Sequence, residues 1–213
     1  MTPDIVRQCI RAARNNVCGT APNAPPLFLW SLHHAENLQA PGALEDCLRA
    51  AADCVRDGTL LHIGLCNASI PLIQRALATG IRIATVQNEW SPWCRDPEKA
   101  RPSTAAASNK RGMLGFCAAN DIIFVGYAPL GGLKSRRGER TLAADHPGLA
   151  ALASAKVSVH AVTLAAMLHR VRAIGARVVL IPGARVKEHA VDSVHAAKLK
   201  LTDAEVNAVL PPV

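Results

Sequence analysis

Aromatic residues make up only 3% of this 213-residue chain, and tyrosine occurs once, at Tyr127. Ala, Leu, Val and Ile must therefore fill most of the core. No apolar run reaches the ~18 residues that a membrane-spanning helix needs. The first residues, MTPDIVRQCIRAARNN, contain no apolar stretch of the secretory type, so no secretion signal is expected. The seven cysteines include no CxxC pair. An odd number at irregular spacing fits a reducing compartment, with the cytoplasm as the expected location. No metal site is expected. Charged residues are 19% and hydrophobic residues 50%, enough for one domain, 1–213, with a sizeable core.

Positive charge is in excess, at +8. The basic residues are mostly scattered. The densest group is Lys134, Arg136, Arg137 and Arg140, and no aromatic interleaves it as a single-strand platform requires. Nucleic acid is not an expected partner. A basic cofactor pocket and a solvated loop explain the charge more simply.

Short β-rich runs alternate with helical ones. Strands are expected at 27–32, 60–65, 81–87, 122–127 and 177–181. Helices are expected at 4–14, 43–56, after the cap Ser69, and near 109–119, 148–155, 159–173, 187–198 and 203–210. Thr202 and Glu205 have the spacing of a capping box. Residues 91–108 and 131–147 read as long loops, the first with a small-residue tract, STAAAS. Alternation of this kind argues for parallel βαβ units. Continuous apolar runs such as IIFV and VVLI suit strands buried on both faces.

In such folds, sites lie at the C-terminal ends of the strands. Here those ends carry His33 and His34; Cys66 and Asn67; Gln87, Asn88 and Glu89; Tyr127, with Pro129, Leu130 and Gly131 just beyond; and Pro182, Gly183, Ala184 and Arg185. A cofactor or substrate site is expected along this rim.

The same segments carry a family resemblance. LFLWSLHH resembles the aldo-keto reductase strand that ends in a catalytic histidine, and His33 takes that place. DGTLLHIGLCNAS resembles the segment ending in the family's asparagine, here Asn67, with Cys66 replacing the usual serine. VQNEWSP resembles the glutamine-bearing strand, with Gln87 matched. IIFVGYAPLGG resembles the strand whose tyrosine lies against the nicotinamide. VVLIPGARVKEH resembles the adenosine-phosphate loop, and LKLTDAEVNAVL the closing helix. The six segments run in family order from about residue 4 to 210.

The resemblance implies an α/β fold of the (β/α)8 TIM-barrel family, incomplete, with about five βα units and without the first three strands. It implies an NADP cofactor and a small carbonyl substrate. Asn67 and Gln87 would hydrogen-bond the carboxamide, and the Tyr127 ring would hold the nicotinamide plane. Pro129, Leu130, Gly131, Gly183 and Ala184 would follow the cofactor, with Arg185 gripping a phosphate. His189 stands where the family often has arginine. Asp192 and Ser193 fall where it often has an acidic residue and an asparagine touching adenine.

The family's catalytic Asp, Tyr and Lys belong to the segment without a match here. Tyr127 is the only tyrosine, no lysine precedes Lys99, and the only acid before His33 is Asp4. Carbonyl reduction is therefore expected to be severely reduced or absent, with His33 left as a weak general acid. The alternative is a non-catalytic NADP-binding or interaction module, or one half of a split barrel. Five strands leave two open edges, which invite pairing. Either the units close differently, or a protein partner or second copy covers the edges, or the chain is marginally stable.

Overall fold

A computed structural model describes residues 2–38, 40–99, 112–155 and 157–213. The whole small-residue tract expected in a loop, and the expected start of the helix at 109, lie outside the described residues. The chain divides into two compact units, Met1–Gln87 and Asn88–Val213.

The first unit opens with α1, Pro3–Cys18. Thr2 caps it by accepting from the backbone of Ile5, and Pro3 occupies the first turn, where no N–H is needed. Val6 and Ile10, four residues apart, are its buried positions. Arg7 leaves the same helix to meet Asp53, with Nη2–Oδ2 at 2.6 Å. Asp53 lies on α2, Ala43–Arg56, whose Leu44, Cys47, Leu48, Ala51 and Cys54 are buried at helical spacing. A fully buried leucine is worth roughly 1.5–3 kcal/mol, so this stripe is what holds α2 down. Ser69 caps α3, Ile70–Ala78, through the backbone of Leu72.

The strands of this unit are β1, Leu27–Leu32; β2, Leu60–Cys66; and the first residues of β3, Thr85–Glu89. They pair in parallel, with Leu27 opposite Leu60, Leu32 opposite Leu65, Gly64 opposite Thr85 and Cys66 opposite Gln87. Gly64 is required by this register. A Cβ there would land on the Thr85 hydroxyl and 2.6 Å from Ser31 Oγ. The third strand begins four residues later than its apolar run suggests. Ile83 is buried and Ala84 N–H bonds Ile63 O at 2.7 Å, but the paired register starts at Thr85. Burial rather than strand pairing accounts for the apolar Ile83.

In the second unit, α4 spans Gly112–Ala119 and leads into β4, Ile123–Tyr127. β4 pairs in parallel with β5, Val178–Ile181, from Phe124 opposite Val178 to Tyr127 opposite Ile181. The segment expected as a loop at 131–147 contains two short helices, α5, Gly132–Arg136, and α6, Leu142–Asp145. Their five and four residues are too few to show an amphipathic period. Leu142, Leu149 and Val162 form a small core that anchors α6 to α7, Pro147–Ala155, and α8, Val159–Arg172. α8 is buried continuously from Ala161 to Met167, which is why it has no polar face there. α9 spans Lys187–Lys198, and α10, Asp203–Val209, begins with the expected Thr202–Glu205 capping box. Among the described residues no helix is long and apolar enough to cross a membrane, and no cluster of side chains could hold a metal ion.

Candidate functional site

Polar groups gather at the strand ends of the first unit. His33 follows β1 directly and is exposed. His34 turns the chain with φ 52°, and the two rings lie edge to face at 4.1 Å. The next turn, Ala35–Asn37, presents Glu36, whose carboxylate accepts the Ser69 N–H at 2.8 Å. That bond ties the end of β1 to the cap of α3.

Asn67 follows β2 with φ 52°, a left-handed conformation that asparagine tolerates better than most residues. This kink brings it to Gln87. Asn67 N–H donates to Gln87 O at 2.9 Å, and the Cys66 thiol reaches Gln87 Oε1 at 3.6 Å. The Asn67 and Gln87 amides are therefore coupled through Cys66, which Asn67 Nδ2 also approaches at 4.0 Å. Burial pushes the Cys66 thiol up from its ordinary range, so it serves as a weak donor and not as a nucleophile.

In the second unit the chain bends sharply past β4. Tyr127 is half-buried, and its carbonyl accepts the Trp90 N–H at 3.2 Å. Ala128 has φ 51°, an unfavourable angle for a residue with a Cβ, and Gly131 and Gly132 follow with φ 89° and 58°. Glycine is needed at both. A Cβ on Gly131 would sit 2.9 Å from the Trp93 ring, and one on Gly132 would sit 2.7 Å from Ala128 Cβ.

This bend forms one wall of a cleft of about 200 Å³. Ala128, Pro129 and Leu130 line it from the end of β4, and Gly132, Ser135 and Arg136 from α5. Gly183 and Arg185 come from the turn after β5, His160 from α8 and His189 from α9. Arg185 N–H donates to His189 Nδ1 at 3.4 Å. His160 and His189 face each other with ring centroids 6.1 Å apart, and Asp192 Oδ2 stands 3.8 Å from His160 Nδ1. Among the described residues, no carboxylate pairs with the guanidinium of Arg136 or Arg185. Two free cations, a helix N-terminus and a glycine-bearing turn make this a suitable place for a phosphate.

Five of the residues expected from sequence thus meet in one cleft: Pro129, Leu130, Gly183, Arg185 and His189. Gly131 shapes the bend without lining the cleft, and Ala184 lies between two lining residues. Asp192 backs His160, and Ser193 turns its hydroxyl to His189 O at 2.9 Å. Sequence reading missed Gly132, Ser135, Arg136 and His160 as site residues. The basic group around Arg136 was a signal for a cofactor pocket, but α5 was hidden in an apparent loop. Nothing local marks His160. A second, larger depression of about 470 Å³ lies at the start of β2, between Val55 and Ile81, and holds none of the expected site residues.

The family model described as "Aldo/keto reductase family" matches residues 20–210. A stretch of 100 residues is 32% identical to the aldo-keto reductase yakc of Schizosaccharomyces pombe, whose name specifies NADP(+). That match covers 47% of this chain and 26% of the yeast protein. Among solved structures, a thermostable aldo-keto reductase, Tm1743, superposes with a TM-score of 0.75 at 24% identity. An aldose reductase from Giardia lamblia superposes at 0.72 and 22%. The chain is covered to 98% and 97%, and it covers 66% of each of those proteins. The fold is thus that of an incomplete aldo-keto reductase barrel of the TIM type.

Proposed function

The chain belongs to the aldo/keto reductase family, and on that premise we propose that it binds NADP(H) and serves hydride transfer to an aldehyde or ketone, with the transfer impaired in this polypeptide. The observation that carries this reading is the convergence of Arg136 and Arg185 on the cleft beside the β5–α9 turn. At about 200 Å³ the cleft is smaller than the 300–1,000 Å³ usual for a whole small molecule, which suits the phosphate-bearing end of a dinucleotide. The NADP(+) in the yeast relative's name agrees with that assignment.

The bound cofactor would supply the hydride. The protein's part is to bind and orient. By family resemblance, Tyr127 is the ring assigned to the nicotinamide face, and Asn67 and Gln87 are the amides assigned to its carboxamide. Their mutual coupling through Cys66 supports a fixed amide orientation.

Proton delivery is the weak point. With its one tyrosine assigned to stacking, this polypeptide has His33 as the remaining general acid. General acid catalysis typically contributes ~10²–10⁴-fold, and a loss of that order in kcat is expected. The same shortage supports a second reading, in which the chain binds NADP(H) without turning it over, alone or as half of a split barrel.

Titration of the purified protein with NADPH, followed by quenching of Trp30, Trp90 and Trp93, tests the proposal. Saturable binding in the micromolar range is expected. Arg185→Ala should weaken it by about tenfold or more, the worth of a charge-assisted hydrogen bond. Folded protein that does not bind NADPH would sink the proposal. Turnover of a reactive aldehyde at rates ordinary for an enzyme would sink the impairment.

A further inference from the structure

His189 is the third residue of α9, and its Nδ1 accepts the backbone N–H of Arg185 at 3.4 Å. A side chain at this helix position commonly reaches back to an unpaired N–H before the helix. An Nδ1 that accepts this N–H carries no proton itself. Across the cleft, His160 faces His189 at 6.1 Å and has Asp192 at 3.8 Å. The charged groups around this histidine pair are Arg136 from α5, Arg185 from the turn and Asp192 from α9. Neither β5 nor α7 carries an ionisable side chain. Lys187 and Glu188, in the first turn of α9, are exposed.

Building on the cofactor reading, we propose that phosphate binding in this cleft is coupled to proton uptake by the His160–His189 pair, so that affinity for the cofactor rises as pH falls. A phosphate oxygen takes the Arg185 N–H in place of His189 Nδ1. The released Nδ1 lone pair then accepts a proton from solvent, and the imidazolium donates to the phosphate. His160 gains in the same way, because a phosphate dianion added to this lining favours the charged form of either ring. The coupling falls between about pH 5 and 8, where histidine changes charge.

The sign separates this from the ligand's own titration. A phosphate monoester loses its second proton near pH 6, so its dianion becomes more abundant as pH rises. Ligand ionisation alone would strengthen binding with rising pH. Histidine coupling weakens it.

Calorimetric titration with NADP(+) at pH 6.5, 7.5 and 8.5, in buffers of different ionisation enthalpy, tests the proposal. Affinity should fall about tenfold across that range, with net proton uptake at pH 7.5. His189→Gln keeps an acceptor for the Arg185 N–H but cannot take a proton, so it should flatten the slope. Adding His160→Gln should abolish it. A purely structural histidine would instead lower affinity equally at every pH. A parallel titration with NAD(+) identifies the phosphate. Uptake with NADP(+) alone assigns the coupling to the additional phosphate, and uptake with both ligands assigns it to the bridging diphosphate. Affinity that is flat or rises with pH, or a slope that survives in the double variant, overturns the coupling and leaves the cofactor reading standing. Folded protein that binds neither ligand at any pH overturns both.

Discussion

Glu98 grips Arg95 with both carboxylate oxygens, Nε reaching Oε1 at 2.8 Å and Nη2 reaching Oε2 at 2.5 Å. The same carboxylate accepts the Trp90 indole N–H at 3.0 Å and lies 3.9 Å from Arg170. Arg95 and Glu98 are only 11% and 10% exposed, so the pair is largely shielded from solvent. Arg95 also donates to the carbonyl of Pro211 at 2.6 Å, which fastens the last residues to the segment after β3.

Removing this carboxylate strands two guanidinium groups in a desolvated place. Burial already holds Arg170 below the usual arginine value. Glu98→Ala should cost roughly 1–3 kcal/mol, as leaving a desolvated donor without its acceptor does. Glu98→Gln keeps an acceptor for the Trp90 indole and should cost less. Urea denaturation followed by tryptophan fluorescence measures both. Two variants of wild-type stability would show that the network contributes little.

His146 predicts a pH dependence. Its ring stands edge-on to Trp93 at 5.0 Å, and its Nε2 is buried with no hydrogen-bond partner among the described residues. Burial is the main cause that holds its pKa below the ordinary value; Arg95 lowers it further, and Asp145 opposes. A histidine depressed in the folded state binds its proton more readily when unfolded. Stability is therefore intact above the unfolded value of about 6.5 and falls as pH drops from there toward the folded value. Wild type should lose more stability between pH 7.5 and 5.5 than His146→Phe, which keeps an aromatic edge against Trp93. Thermal melts of both proteins at the two pH values decide it. Equal losses would show that His146 does not sense acid.

Thiol reactivity should divide the cysteines by burial. Cys9 is exposed, whereas Cys117 is fully buried in α4 and its pKa is pushed up to about 12. At pH 8 the Cys117 thiolate fraction is then on the order of 10⁻⁴. Burial also raises Cys47, Cys54 and Cys66. A disulfide reagent at pH 8 should label Cys9 first and reach Cys117 only as the protein unfolds. Mass spectrometry of timed samples gives the order. Early modification of Cys117 in folded protein would contradict the packing of α4.

Much of the fold was legible because the signals are local. β1 and α9 coincide with their expected ranges, and Ser69 and Thr202 cap the helices that their spacing announced. Caps and apolar periods act over three or four residues, and a single sequence displays them directly. Gly64 is a different case. It reads as an ordinary strand glycine, yet the register places it between Ser31 and Thr85, where no Cβ fits. The late start of β3 follows the same rule, since Ile83 is apolar for its burial and pairing begins at Thr85.

The sequence by itself determined the alternation of strands and helices, the rim of polar residues at the strand ends, the single tyrosine and the excess of positive charge. Each depends on composition or on neighbours a few residues apart. Tertiary structure decided which of those residues meet. Arg136, His160 and His189 lie on α5, α8 and α9, between 24 and 53 residues apart in the chain, and share one cleft because those helices pack around the ends of β4 and β5. Cys66 and Gln87 likewise meet only because β2 and β3 pair in one register. A shift of that register would separate them without changing a single local preference.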